Sequence, residues 1–76
     1  MNNDRRKKLS AIQSQLEGIV SELESLRDEE QEAFDNMPEG LQQGDRGMQS
    51  ESALAEMENA IGGLEDVISN IETAGE

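Results

Sequence analysis

The side chains that could do chemistry in this chain are almost all carboxylates. Eighteen acids stand against six bases in 76 residues, and the chain contains no histidine and no cysteine. It therefore lacks the commonest general base and metal ligand, as well as every thiolate site. A catalytic carboxylate needs burial or a close like charge to shift its pKa, whereas these acids lie on helix faces expected to be solvated. With no nucleophile elbow, P-loop or zincin motif either, we predict that the protein is not an enzyme.

The densest acidic segment, from Asp28 to Asp45, offers oxygen ligands for a divalent cation. An EF-hand loop starting at Asp35 would have the required glycine at its sixth position. Its third and twelfth positions, however, are Met37 and Arg46, which cannot supply the oxygen ligands. We therefore predict no metal site and no cofactor, beyond loose association of Mg²⁺ or Ca²⁺ with the acidic surface.

The charge is distributed unevenly along the chain. From residue 9 onward there are 17 acids and two bases, a net charge of 2 − 17 = −15. Such a surface repels nucleic acid, so direct nucleic-acid binding is not expected, whereas a basic partner would suit it. Two interpretations of the acidic face remain open: it imitates the phosphates of DNA, or it is only solvated.

The four remaining bases are consecutive, at positions where a helix prefers acids. One explanation is pairing across a hairpin, for example between Lys8 and Glu72. The other is an anion-binding site, whose candidate residues are Arg5, Arg6, Lys7 and Lys8.

Two apolar seams must position these charges, each with the alternating spacing of three and four residues that forms one stripe of an α-helix. The first seam consists of Leu9, Ile12, Leu16, Ile19, Leu23 and Leu26. The second consists of Leu54, Met57, Ile61, Leu64, Ile68 and Ile71. The seams mirror each other about Gly40. Each residue of the first seam has a counterpart in the second at the same distance from Gly40, as Leu9 and Ile71 do, so the two residue numbers sum to 80. The pattern predicts an all-α fold, an antiparallel, coiled-coil-like helical hairpin.

We predict a single domain over residues 1–76, with a helix over 4–36, a connection over 37–49 and a helix over 50–73. Asn2, Asn3 and Asp4 are N-cap candidates for the first helix, and Pro38 ends it. Asn36 and Glu39 resemble a capping box for a short helical turn at residues 41–43. Ser50 or Ser52 is the predicted cap of the second helix.

Further small apolar residues flank the seams, and a hairpin alone would leave them exposed. We therefore predict that hairpins self-associate into a bundle, a dimer or a higher homo-oligomer. The candidate oligomer interface consists of Val20, Ala53, Ala60, Val67 and Ala74.

The stretch from Asp28 to Gly47 interrupts the seam pattern with a few bulky apolar residues, the last ones before Met48. They either close the hairpin as a small satellite core or form a partner-binding head ringed by acids. On the second interpretation, the candidate partner-binding residues are Phe34, Asn36, Met37, Pro38, Glu39, Leu41 and Arg46.

The segment from Arg27 to Gln42 (RDEEQEAFDNMPEGLQ), followed by Arg46-Gly47 and the second helix, resembles small acidic helical proteins of unknown function from tailed bacteriophages and prophages. The resemblance implies an accessory protein of the bacterial cytoplasm that acts by binding. The chain has no cysteine, no apolar leader and no transmembrane run, which agrees with a cytoplasmic location away from membranes.

The leading functional prediction is stoichiometric sequestration: a phage-type inhibitor of a host or defence protein that binds through its acidic face and hairpin tip. One alternative is an oligomeric sponge for a nucleotide defence signal, in which assembly would bring Arg46 and the basic cluster together. The other alternative is a structural or assembly protein.

Overall fold

The computed structural model describes all 76 residues, and the chain is all-helical, as the seam pattern predicts. Its three helices are α1 (Asn3–Asp35), α2 (Glu39–Gln42) and α3 (Asp45–Ala74). The two long helices pack along each other and α2 packs on α3, which gives an extended, hairpin-like shape of 58 × 14 × 12 Å. None of the three helices combines the length and the apolar character that crossing a bilayer requires.

The ends of α1 follow local capping chemistry. The side chain of Asn2 accepts a hydrogen bond of 2.9 Å from the backbone N–H of Arg5, which confirms one of the three N-cap candidates. At the other end Asn36 is the C-cap, and its backbone N–H donates to Glu32 and Phe34. Pro38 keeps the helix from continuing, because helical geometry is disfavoured at the residue before a proline, here Met37.

The connection is shorter than predicted. Asn36 ends α1 and does not cap α2; Pro38 occupies the N-cap position of α2 without a side-chain hydrogen bond. The predicted start of the second helix at residue 50 is wrong, because α3 begins at Asp45 behind an extended Gly44. An acid in the first turn favours this start, since it lies against the positive end of the helix dipole.

The second seam lies where the sequence places it. All six of its residues are at least half-buried against α1, and Ile61 is only 5% exposed. The seam also extends toward the tip through two small residues at the same spacing, Gly47 and Ser50, both buried. Because these residues have little side-chain volume, α3 can approach its neighbours closely at that end.

The first seam is only half right. Leu9, Leu16 and Leu23 are half-buried between the helices, but the other three predicted members are about half exposed: Ile12 45%, Ile19 45% and Leu26 54%. Val20 is buried instead, at 7% exposure. The helix is therefore rotated about its axis, toward the side from which Gln13 and Arg27 reach acids on α3.

Four polar contacts bracket how far α1 is shifted along α3. Near the tip, the Ser50 hydroxyl donates to the carboxylate of Glu30, in the predicted register. Arg27, one turn from Glu30, donates to Glu58 at 3.2 Å, and Gln13 near the open end donates to Glu72 at 2.8 Å. The residue numbers of both pairs sum to 85, five more than in the predicted register (85 − 80 = 5). At the open end Arg6 donates to the carbonyl of Glu76. The predicted Lys8–Glu72 pair is absent, since Lys8 pairs with Asp4 within its own helix.

Ser50 does not cap α3 but supports a half-buried carboxylate. Replacing Ser50 with alanine leaves the Glu30 carboxylate without its donor and is expected to lower the free energy of unfolding by about 1–3 kcal/mol. Urea unfolding followed by circular dichroism measures this loss. The control is Ser52→Ala, at an exposed position two residues away, which should change stability by less than about 0.5 kcal/mol. Equal losses in the two variants would contradict a specific role for the Ser50–Glu30 contact.

Candidate functional site

The most distinctive feature of the surface is an acidic groove between α1 and α3, with an open volume of about 380 Å³. Val20 and Ile68 form its apolar floor. Its rims carry two glutamates and one serine from each helix: Glu17, Ser21 and Glu24 from α1, and Glu65, Ser69 and Glu72 from α3. Spacing of seven residues within each helix places its two glutamates on the same side, about 10 Å apart along the axis.

Hydrogen bonds from two polar side chains border the acidic groove. The side-chain amide of Gln13 donates to Glu72 at 2.8 Å and to Glu17 at 3.2 Å, which ties the two rims together at one end. Toward the tip Arg27 forms the one ion pair between the long helices, with Glu58, and also binds Asp28. The hydrogen bonds that Arg27 donates to Asp28, together with the negative charge of Glu58, raise the pKa of Arg27 above its ordinary value. Both contacts favour the charged form of Arg27.

This geometry suits binding of cations on another macromolecule. Four glutamates line a groove whose floor is apolar, so a basic side chain can lay its aliphatic stem on Val20 and Ile68 and its charge on a rim. Nowhere in the chain do three carboxylates converge closely enough to hold a metal ion. The sequence indicated an acidic face but not which glutamates form it, because the facing pairs depend on the register of the helices.

The tip, formed by residues 34–48, separates the predicted partner-binding residues into two groups. Phe34 and Met37 are half-buried, and the carbonyl of Phe34 accepts a hydrogen bond of 2.9 Å from the side chain of Gln42. The remaining candidates are exposed at the end of the molecule: Asn36, Pro38, Glu39, Leu41 and Arg46. The tip therefore has a small internal core and an exposed outer surface, on which partner binding stays a prediction.

Met48 is an exposed tip residue that the sequence analysis did not single out. At 61% exposure it is the most exposed large hydrophobic side chain, with Leu41 at 48%. Extending the second seam backward from Leu54 through positions 50 and 47 leaves Met48 on the opposite side of α3. That extension would have found it, had the helix been predicted to start before residue 50.

The basic cluster does not converge on a site within one chain. Consecutive residues of a helix point about 100° apart, so the four side chains leave α1 in different directions. Arg6 turns toward the C-terminus, whereas Arg5 and Lys8 border a shallow apolar patch with Met1, Leu9 and Ile12. Arg46 lies at the tip, at the other end of the 58 Å molecule. A nucleotide site using all five bases is therefore not present in a single chain.

The predicted oligomer-interface residues also divide. Ala53, Ala60, Val67 and Ala74 are exposed along α3, whereas Val20 is buried between α1 and α3 and offers nothing to a second copy. Val20 flanks the first seam in the sequence, and the rotation of α1 turns it toward α3.

Comparison of the chain with protein-family models, curated proteins and solved structures finds no match.

Proposed function

We propose that the protein is a non-catalytic binding protein, an antiparallel helical hairpin that self-associates and sequesters a partner protein with a basic surface. The observation that supports this most directly is the acidic groove, in which glutamates from two helices face each other over an apolar floor. Together with the resemblance to phage proteins, this makes a host or defence protein of the bacterial cytoplasm the proposed target. Binding at a fixed stoichiometry would be sufficient for inhibition.

Charge contributes to such binding at two distances. The net charge of −12 attracts a basic surface from afar and raises the association rate, an effect that salt screens. At contact, the Glu24 and Glu65 carboxylates are proposed to form hydrogen-bonded ion pairs with lysine or arginine side chains. Exposed Leu41 and Met48 offer a separate apolar contact area at the tip, at the end of the molecule beyond the groove.

Neutralising the acidic groove is expected to reduce capture of the partner at least tenfold. The test variant is Glu24→Gln/Glu65→Gln, which keeps the shape of both rims but removes one charge from each. Bacterial lysate is passed over the immobilised protein at 0.05 and 0.3 M NaCl, and bound proteins are quantified by mass spectrometry. Proteins that bind the wild type should be basic and should elute at the higher salt concentration.

The matched control is Glu32→Gln/Asp66→Asn, which also removes one exposed carboxylate from each long helix but outside the acidic groove. It should capture the partner as well as the wild type does. Equal losses in both double variants would mean that only overall charge matters, and undiminished capture by the groove variant would contradict the proposed site. A Leu41→Ala/Met48→Ala variant measures the contribution of the tip separately.

A further inference from the structure

The three exposed hydrophobic residues of α1 form a stripe of their own. Ile12, Ile19 and Leu26 are spaced by seven residues and are 45–54% exposed, in a chain whose other surfaces are strongly acidic. The stripe is symmetric, since Ile12 and Leu26 each lie seven residues from Ile19. A second helix running in the opposite direction would therefore present the same sequence of apolar residues to it.

A matching stripe runs along α3, formed by Ala53, Ala60, Val67 and Ala74, all exposed. It is symmetric too, because these positions pair as 53 with 74 and 60 with 67 about a centre beside Gly63. A Cβ at Gly63 would meet nothing within 4 Å, so the centre of this stripe is open.

Both stripes lie on the same side of the molecule, opposite the acidic groove. Around the circumference of α1, the half-buried Leu16 and Leu23 lie between the stripe and the glutamates of the groove rim. Around α3 the path likewise runs from Ala60 across Ile61 to Glu65. Because the two helices present their stripes side by side, they form one continuous apolar face.

We propose that this apolar face binds a second copy of the chain face to face, with a two-fold axis passing between the two Ile19 residues and between the two Gly63 residues. The product is a dimeric four-helix bundle in which α1 packs on α1 and α3 on α3, each pair antiparallel. This inference rests on the self-association in the proposed function and specifies its surface and symmetry.

The positions of the two stripes agree with a single axis. In antiparallel helices the numbers of residues at the same level have a constant sum. The Ser50–Glu30 contact gives a sum of 80, which places Ile19 level with residue 61 of α3. The Gln13–Glu72 contact gives a sum of 85, which places Ile19 level with residue 66. Gly63, the centre of the second stripe, lies between these limits. One two-fold axis perpendicular to the helices therefore brings both stripes into register at once, Ile12 against Leu26 and Ala60 against Val67.

The charges beside the stripes are complementary in this arrangement. Lys8, whose side chain is 74% exposed, falls against Glu29 of the second copy, twice in each dimer. Two further acids, Glu22 and Glu56, fall against the uncharged Gln15 and Asn70, so no like charges meet along the flanks. Contact through the acidic groove would instead bring glutamates together. The dimer also accounts for the basic cluster at the start of α1, which lies against an acidic segment of the other copy.

Cross-linking tests the two-fold axis directly. The chain has no cysteine, so Ile19→Cys introduces a single thiol, and two such thiols meet at the axis. Mild oxidation, or a short bismaleimide, should link this variant into a covalent dimer at micromolar concentration. The control is Ser14→Cys, exposed on the outer side of α1, which should stay unlinked.

A charge-swap series measured by sedimentation tests the register. Lys8→Glu and Glu29→Lys are each expected to weaken the dimer on the order of tenfold, because two ion pairs become two repulsions. The double variant should return to within about threefold of the wild type. Glu29→Lys is the decisive variant, since it reduces the net charge from −12 to −10. If only overall charge mattered, this variant would associate more strongly. Glu51→Lys makes the same change of charge on the groove side of α3, away from the apolar face, and should not weaken the dimer.

The outcomes separate the surface from the self-association itself. Linked Ile19→Cys dimers together with rescue in the double variant support the proposed face. A dimer that sediments normally but neither links at Ile19 nor responds to the swap overturns this face and leaves self-association standing. A chain that is monomeric at all concentrations overturns both.

Discussion

Replacing Ile61 with alanine is expected to lower the free energy of unfolding by about 2–5 kcal/mol, which approaches the whole stability that a single core of this size provides, about 3–5 kcal/mol. Only two hydrophobic residues are buried, Ile61 at 5% exposure and Val20 at 7%. A cavity at Ile61 removes one of them at the middle of the contact between α1 and α3. Circular dichroism should show a chain that is largely unfolded at 37 °C.

The matched control is Ile12→Ala, which removes the same atoms from a helix interior at 45% exposure. In dilute solution it should cost less than about 1.5 kcal/mol, since much of its side chain is already in water. Its cost should grow with protein concentration if the apolar face is covered by a second copy, because dimerisation stabilises only the folded chain. Equal losses for the two variants in dilute solution would contradict the assignment of Ile61 to the core and Ile12 to the surface.

The second seam was predictable because nothing competes with it. Along α3 all large apolar residues except Met48 and Val67 fall on one stripe, and the positions directly beside it are mostly alanines, glycines or acids. Along α1 the apolar stripe is wider, since Val20 lies on one side of it and Ile19 on the other. Which side faces α3 depends on Gln13 and Arg27 finding acids across the interface, and such polar pairings are set by the register, which hydrophobic periodicity alone does not determine.

The predicted connection extends too far because glycine occurs in two different structural settings, in loops and at close contacts between helices. The predicted connection over 37–49 includes Gly44 and Gly47, and glycines usually interrupt helices. Gly44 does precede a helix start, but Gly47 lies inside α3, where the absence of a side chain permits close packing on α2. Ser50 is predicted as a cap because serine is a preferred N-cap residue, but in the structure it is buried and donates to Glu30.

The candidate site was predictable in kind but not in detail. Composition alone indicates an acidic protein with few basic residues. The tip residues are recognisable in the sequence because the apolar seam is interrupted there. The acidic groove, in contrast, joins Glu24 to Glu65 and Glu17 to Glu72 across two helices, so its residues are known only once the register is fixed. The same holds for the apolar face, which appears when α1 is rotated toward Val20.

Replacing Gly47 with alanine is expected to disrupt the tip and lower the free energy of unfolding by about 3 kcal/mol. A Cβ at this position would overlap the backbone of Gln42, including its carbonyl group, and backbone cannot move aside as a flexible side chain can. Relieving the overlap requires α2 to separate from α3, which breaks the Gln42 bond to Phe34 and exposes the small core beneath it. The melting temperature should fall by roughly 10–20 °C.

Gly62→Ala provides the matched control, because a Cβ at Gly62 meets nothing within 4 Å in the same helix. There the higher helix propensity of alanine should raise stability by about 0.5–1 kcal/mol. The two variants should therefore shift the melting temperature in opposite directions. Amide hydrogen exchange adds a local readout: in Gly47→Ala the N–H groups of Leu41 and Gln42, which bond to the carbonyl of Pro38, should exchange faster than in the control. A stabilised Gly47→Ala variant with an unchanged exchange pattern would show that α2 does not pack on α3 at this position.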